Sequence, residues 1–166
     1  MRAVLPDPVT APELFEGILT RRVLAFVLDT MVIGALLLLA GSVGLIVGFF
    51  TWGLGWAALT LVLPATIALY YAATLGSRRR ATLGMRMMDL VLTPTQERRL
   101  DGPVAVVHAV LFWVSFWISW PISLAVALFT PRRQMLHDLL LGVMMVRRSP
   151  MHRHWTGVRA ASAFAP

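Results

Sequence analysis

Residues 23 to 77 contain one charge, Asp29, in a stretch otherwise composed of apolar, small and hydroxyl side chains. Two apolar runs divide this stretch, 23–48 and 56–75, each long enough for the roughly 20 residues that cross a hydrocarbon core of about 30 Å. Between them Phe49, Phe50, Trp52 and Trp56 surround Gly53 and Gly55, a pattern that predicts an aromatic belt at the membrane interface around a turn. The prediction is a transmembrane helical hairpin, with Pro64 bending its second helix. A third run, 104–130, begins after Asp101-Gly102-Pro103, a cap followed by proline in a first turn.

That third run allows two topologies. As a single helix it would reach about 40 Å and cross once. A single crossing would, however, leave Arg132-Arg133 and Arg147-Arg148 on the opposite side from Arg21-Arg22 and Arg78-Arg79-Arg80, against the tendency of cytoplasmic loops to collect arginine. Ser119-Trp120-Pro121 offers a break, and a turn within 117–121 would return both clusters to one side. Each arm would then be about 20 Å, a bent or re-entrant hairpin whose turn needs protein around it. The pattern favours this hairpin.

The polar stretch 76–103 contains a segment, 85–93, too short and too interrupted to span, within which 87–92 is a candidate strand. It could pair with 139–146 as a two-stranded ribbon on the cytoplasmic face, provided that the ribbon packs on helix ends. The fold expected is therefore an all-α polytopic membrane protein: an N-terminal transmembrane hairpin, a second bent or re-entrant hairpin, and a short ribbon. Residues 1–20 read as a surface segment, in which Thr10 caps a short helix carrying Leu14, Phe15, Ile18 and Leu19 on one face, or else as a proline-rich loose tail. Residues 21–148 form the membrane domain and 149–166 a flexible tail.

Composition agrees with this reading. Of 166 residues, 58% are hydrophobic and 14% charged, and mean hydropathy is +0.74, against about 25% charged in a soluble domain. All 15 basic residues are arginine, in clusters that bracket the apolar runs. This distribution orients a membrane protein and does not form the basic stripe of a nucleic-acid binder. Without cysteine, thiol chemistry and disulfides are excluded. The N-terminus lacks the apolar core and small-residue cleavage site of a secretory signal, so the first run is expected to be retained.

The charges inside apolar runs carry the candidate chemistry. A carboxylate at the centre of a spanning helix costs about 2.5 to 3.5 kcal/mol, so Asp29 requires a partner or a task. Arg22 lies seven residues before it, on the same helical face but about 10.5 Å away along the axis, too far for an easy direct pair. A shared polar cluster is expected, Arg22 and Asp29 being joined by Arg86, His137 and Asp138 from the cytoplasmic segments. It would either hold helix ends together or bind a cation and relay protons. His108, Ser115 and Ser119, spaced by seven and four, form a polar stripe that would glue helices by hydrogen bonds or line a water track. Gly44-Leu-Ile-Val-Gly48 has the spacing of a close helix contact, within the chain or between chains. His137-Asp138 has no further ligand at helical spacing, so neither a metal nor a cofactor is expected. No nucleophile elbow, phosphate-cradling loop or zinc-protease motif is present, which argues against an enzyme.

The chain resembles the RDD family of bacterial membrane proteins, named for one arginine and two aspartates. Gly17-Ile-Leu-Thr-Arg-Arg-Val-Leu-Ala-Phe-Val-Leu-Asp29 is similar to the family's opening, and Thr82-Leu-Gly-Met-Arg-Met-Met-Asp-Leu-Val91 to its middle turn and strand. Arg132-Arg-Gln-Met-Leu-His-Asp-Leu-Leu-Leu-Gly-Val143 is similar to its closing His-Asp motif. By resemblance, Arg22, Asp29 and Asp138 are the family positions. Met85 stands where the family usually has lysine, while Leu141 and Val143 stand where it has a small alanine and a threonine. The resemblance implies a helical domain in the bacterial cytoplasmic (inner) membrane, multi-pass, with both termini cytoplasmic. Ion or small-solute transport is the recurring suggestion for such proteins. Two roles are thus expected to compete: a small transporter of protons or sodium, acting as a homo-oligomer in the lipid bilayer, and an accessory subunit of a larger membrane complex whose charges are structural.

Overall fold

A computed structural model describes residues 7–95 and 102–153. Three helices among the described residues are long and apolar enough to cross a membrane. Helix α1, Ile18–Phe50, and α2, Leu54–Leu75, form the expected hairpin. α2 runs as one element through Pro64. Short α3, Leu83–Met87, leads into β1, Leu90–Pro94. Then follow α4, Gly102–Phe129, α5, Leu136–Leu141, and β2, Val143–Arg147.

The hairpin closes at glycine. A Cβ on Gly55 would lie 2.5 Å from the backbone nitrogen of Gly48, and one on Gly48 or Gly44 would run into Trp56 or Leu59 respectively. The Gly44/Gly48 spacing therefore serves a contact inside the chain. Large apolar side chains on the three long helices face outward, with Leu38, Phe49 and Leu54 of the hairpin and Trp117 of α4 each at least three-quarters exposed. In water such a surface would aggregate; in a bilayer it meets lipid.

Pro121 lies near a break in α4, where Ser119 leaves the helical region at φ −165° and ψ 77°. The run from 104 to 130 is thus two helical arms across a kink, located within the predicted 117–121 turn.

The ribbon is present, but shifted from its predicted bounds. β1 pairs antiparallel with β2, Leu90 opposite Arg147 and Leu92 opposite Met145. Residues 87 and 139–141 belong to helices α3 and α5 instead. Gly142 turns α5 into β2 with φ 62°, a left-handed conformation that costs glycine little. Side chains alternate across the ribbon as strand geometry demands. Leu90, Leu92 and Val143 join the core with Ile18, Ala25, Tyr71 and Leu75, while Val91, Met144 and Val146 pack against Leu14, Phe15 and Met151. Both faces are covered, which stabilises a ribbon too small to stand alone.

Two terminal expectations need correction. Leu14 and Phe15 are buried on the ribbon and not laid on a membrane surface, and the helical turn Pro12–Leu14 follows Ala11 without a side-chain cap. Thr10 instead bonds the Asp7 carbonyl. Nor are residues 149–153 loose: they are helical, Met151 is buried, and the Ser149 amide and hydroxyl both donate to Asp89. The remainder of the expected flexible tail, and residues 1–6 of the N-terminal segment, lie outside the described residues.

Candidate functional site

The buried charges occupy two neighbouring pockets. In the first, Asp29 on α1 is 4% exposed and accepts three hydrogen bonds. The Tyr70 hydroxyl donates to Oδ1 at 2.5 Å, the Thr82 hydroxyl to Oδ2 at 2.5 Å, and the Gly84 amide to Oδ1 at 2.7 Å. Thr82 caps α3, accepting from the Met85 amide, and the Tyr70 hydroxyl accepts from the Leu83 amide. The first amides of α3 and one face of α2 thus converge on a single carboxylate. Three donors, two on Oδ1 and one on Oδ2, are what makes a buried aspartate tolerable here.

Gly84 allows this approach. A Cβ there would collide with the Ala25 carbonyl and lie 2.9 Å from the Asp29 carboxylate. The next residue, Met85, is buried in the core where the family's lysine would bring a charge.

In the second pocket, Arg22 Nη1 donates to Asp138 Oδ2 at 2.5 Å, and both groups are almost fully buried. The Met135 amide donates to the same oxygen at 3.1 Å. The other oxygen, Oδ1, faces His108 Nε2 at 3.1 Å and His137 Nε2 at 3.4 Å. The His137 ring is held on its far side, with Nδ1 3.3 Å from the Ser115 hydroxyl and the ring edge against Phe112. Arg22 Nε, Arg22 Nη2 and His108 Nδ1 are buried without a hydrogen-bond partner.

Of the residues expected to cluster, Arg22, His137 and Asp138 come together, joined by His108 and Ser115 from the polar stripe. Asp29 does not bond to them. The expectation of one shared cluster is corrected to two, because Asp29 finds its donors on α2 and at the start of α3. Arg86 is also elsewhere: it is exposed on the outward side of α3, whose inner side presents Gly84 and Met85. Ser119 sits at the kink and is only half-buried, off the stripe. His108, from a different helix, brings a third nitrogen or oxygen atom beside His137 and Asp138 that no helical spacing in the sequence relates to them. Tyr70, Thr82 and Gly84 were missed as site residues. Their signal was present: Tyr70-Tyr71 are the only tyrosines of the chain, set within an apolar span.

Between the two pockets lies a cavity of about 320 Å³. Its wall includes Arg22, His108, Ser115 and His137 from one pocket and Asp29 and Thr82 from the other, with Phe26, Phe116, Trp120 and Leu124 making up an apolar side. Ser123, beyond the kink, also contributes, so both arms of α4 border the cavity.

Protonation in the second pocket follows from burial and charge. Burial by itself raises the Asp138 carboxyl, but the Arg22 guanidinium, the His108 hydrogen bond and the neighbouring imidazoles outweigh it and hold the group well below the usual carboxylate range. His137 is pulled down from 6.5 to about 4, chiefly by burial, opposed by Asp138 and reinforced by His108 and Arg22.

These shifts set a pH dependence. A histidine whose folded pKa lies below its unfolded value is protonated preferentially in the unfolded chain, so its contribution is intact above 6.5 and declines as pH falls towards 4. A depressed aspartate behaves likewise below about 3.9. Acidification from pH 7 to pH 5 is therefore expected to lower the thermal midpoint in detergent, with a loss on the order of 2 kcal/mol from His137. A His137→Gln variant should lose most of this slope; an unchanged slope would contradict the assignment.

A mostly helical protein with three helices long and apolar enough to cross a membrane, and a buried core of one arginine and two aspartates, defines the class: a small membrane protein with buried charge. The sequence model of the RDD family matches residues 17–142, and the chain belongs to that family. No curated protein and no solved structure matches the chain.

Proposed function

We propose that this RDD-family protein binds and passes an ion or small solute through the cavity beside Arg22 and Asp138, without covalent catalysis. The supporting observation is that the cavity touches both carboxylate pockets, and that of the two only the Asp138 pocket holds buried side-chain nitrogens without a hydrogen-bond partner, on Arg22 and His108. Asp29, with three donors, is the structural anchor. Asp138, flanked by two histidines and an arginine with idle N–H groups, is the group that exchanges partners.

The orientation follows from α4 as a re-entrant element. Its first arm, 102–118, is about 25 Å long and its second, 120–129, about 15 Å. Folded back, the second arm would end about 10 Å above the level where the first begins. His108, six residues along, lies at about 9 Å, and that is where α5 meets α4. This arrangement returns all the arginine clusters to the cytoplasmic side of the inner membrane, with both termini there.

Proton or sodium flux into proteoliposomes tests the reading. Asp138→Asn is expected to lower flux at least about tenfold, a loss of about 1.4 kcal/mol in the barrier. Flux equal to wild type from a monodisperse Asp138→Asn protein would sink it.

The second reading, an accessory subunit of a larger complex or of a homo-oligomer, has its own support. Trp117, Ile118 and Trp120 are mostly exposed on one segment next to the kink, an aromatic face suited to another protein in the bilayer. Purification in mild detergent as a free monomer, with measurable flux, would dismiss it.

A further inference from the structure

We propose that His108, His137 and Asp138 form a three-ligand site for a divalent transition-metal ion of the zinc class, its fourth position turned to the cavity. The inference is independent of transport and rests on geometry. Metal bonds of about 2.0 to 2.1 Å at tetrahedral angles place ligand atoms about 3.3 to 3.4 Å apart. Asp138 Oδ1 is 3.1 Å from His108 Nε2 and 3.4 Å from His137 Nε2, and all three ligand atoms lie within 4.8 Å of one another. Two imidazoles bound through Nε2 to one such ion hold their ring centroids about 5.2 Å apart. The centroids of His108 and His137 are 5.1 Å apart, with planes at 77°.

The surroundings also suit an ion. Ligating imidazoles and carboxylates are oriented by partners on their other atoms. Ser115 holds His137 Nδ1, and Arg22 with the Met135 amide holds Asp138 Oδ2, leaving Oδ1 to the metal. A metal takes its imidazole and carboxylate ligands in their unprotonated forms, so uptake competes with protons and weakens in acid. Two imidazoles with one carboxylate select zinc, cobalt or nickel over magnesium and calcium, which prefer oxygen donors. With Arg22 beside Asp138 the occupied site carries excess positive charge, so the fourth ligand drawn from the cavity is an anion such as hydroxide or chloride.

The experiment uses full-length protein without a polyhistidine tag, stripped with chelator in mild detergent and titrated with Co²⁺. Uptake of about one Co²⁺ per chain is expected, with the visible absorption of a four-coordinate ion that Zn²⁺ abolishes. His108→Gln and His137→Gln should each weaken uptake at least about tenfold, while His152→Gln, outside the site, should not. Absence of that absorption in the wild type, or equal uptake by His108→Gln, overturns the proposal. X-ray absorption of the zinc-loaded wild type decides without any variant: two imidazole nitrogens around zinc support the site, and an oxygen-only shell overturns it. Metal uptake and ion flux are read separately, so either can fail alone.

Discussion

Arg22→Ala is expected to destabilise the protein by about 3 to 5 kcal/mol, the usual cost of removing one partner of a buried ion pair. Asp138 is 0% exposed, and without the guanidinium its carboxylate would retain only an amide and two imidazoles against the full cost of burial. Thermal unfolding in mild detergent measures this as a large drop in the midpoint. Arg22→Lys should lose less, since it keeps the charge but not the planar fork. The sharper test is a double replacement. Arg22→Met combined with Asp138→Leu removes both charges, and buried pairs exchanged together for apolar groups of similar size are often neutral. The double variant should therefore be more stable than Arg22→Ala alone. If it is less stable, by the sum of two independent losses, the pair is not coupled as the structure shows.

Gly84→Val should produce the second-largest loss, about 2 to 5 kcal/mol, combining overpacking with a carboxylate deprived of donors. Its side chain would enter space held by the Ala25 carbonyl and the Asp29 carboxylate. α3 would have to lift from α1, breaking the Gly84 and Thr82 bonds to Asp29 and the Leu83 bond to Tyr70. Because α3 leads directly into β1, the ribbon would shift with it. Gly41→Ala serves as the control: nothing lies within 4 Å of its Cβ position, and alanine there should be neutral or stabilising by up to about 1 kcal/mol. Equal behaviour of the two variants would refute the docking role given to Gly84.

Much of the fold was legible because a membrane enforces it. Apolar runs of sufficient length must be helical where backbone groups cannot reach water, and glycine with aromatics between two such runs marks a turn. The break in α4 was legible at Ser119-Trp120-Pro121 for a similar reason, since proline cannot sustain the helical ladder. The ribbon was legible as a pairing but not in its bounds. Gly142, which sets the start of β2, looks in sequence like one more small residue of an apolar segment.

The site was legible as a set of costly groups but not as a set of contacts. Arg22, Asp29, His137 and Asp138 stand out wherever they are placed, because each is expensive in an apolar setting. Their partners do not. Asp29 meets Thr82 and Gly84, 53 and 55 positions away, and Arg22 meets Asp138 across 116. Helical spacing relates residues three, four or seven apart and says nothing at such separations. That is why Arg86, close in sequence to the right turn, was expected in a cluster from which α3 turns it outward.

The sequence by itself determined that this chain belongs in a membrane, which apolar runs form its long helices and roughly where they turn, and which few charges must be compensated. These follow from composition and local periodicity, which the bilayer reads directly. Only the tertiary structure decided that the two aspartates part company, one bonded to two hydroxyls and an amide, the other paired to arginine and two histidines, on either side of a cavity. That division depends on which distant donors the packing of α2, α3 and α4 brings to each carboxylate, and burial makes the choice decisive, because an unpaired carboxylate there would cost more than the fold can absorb.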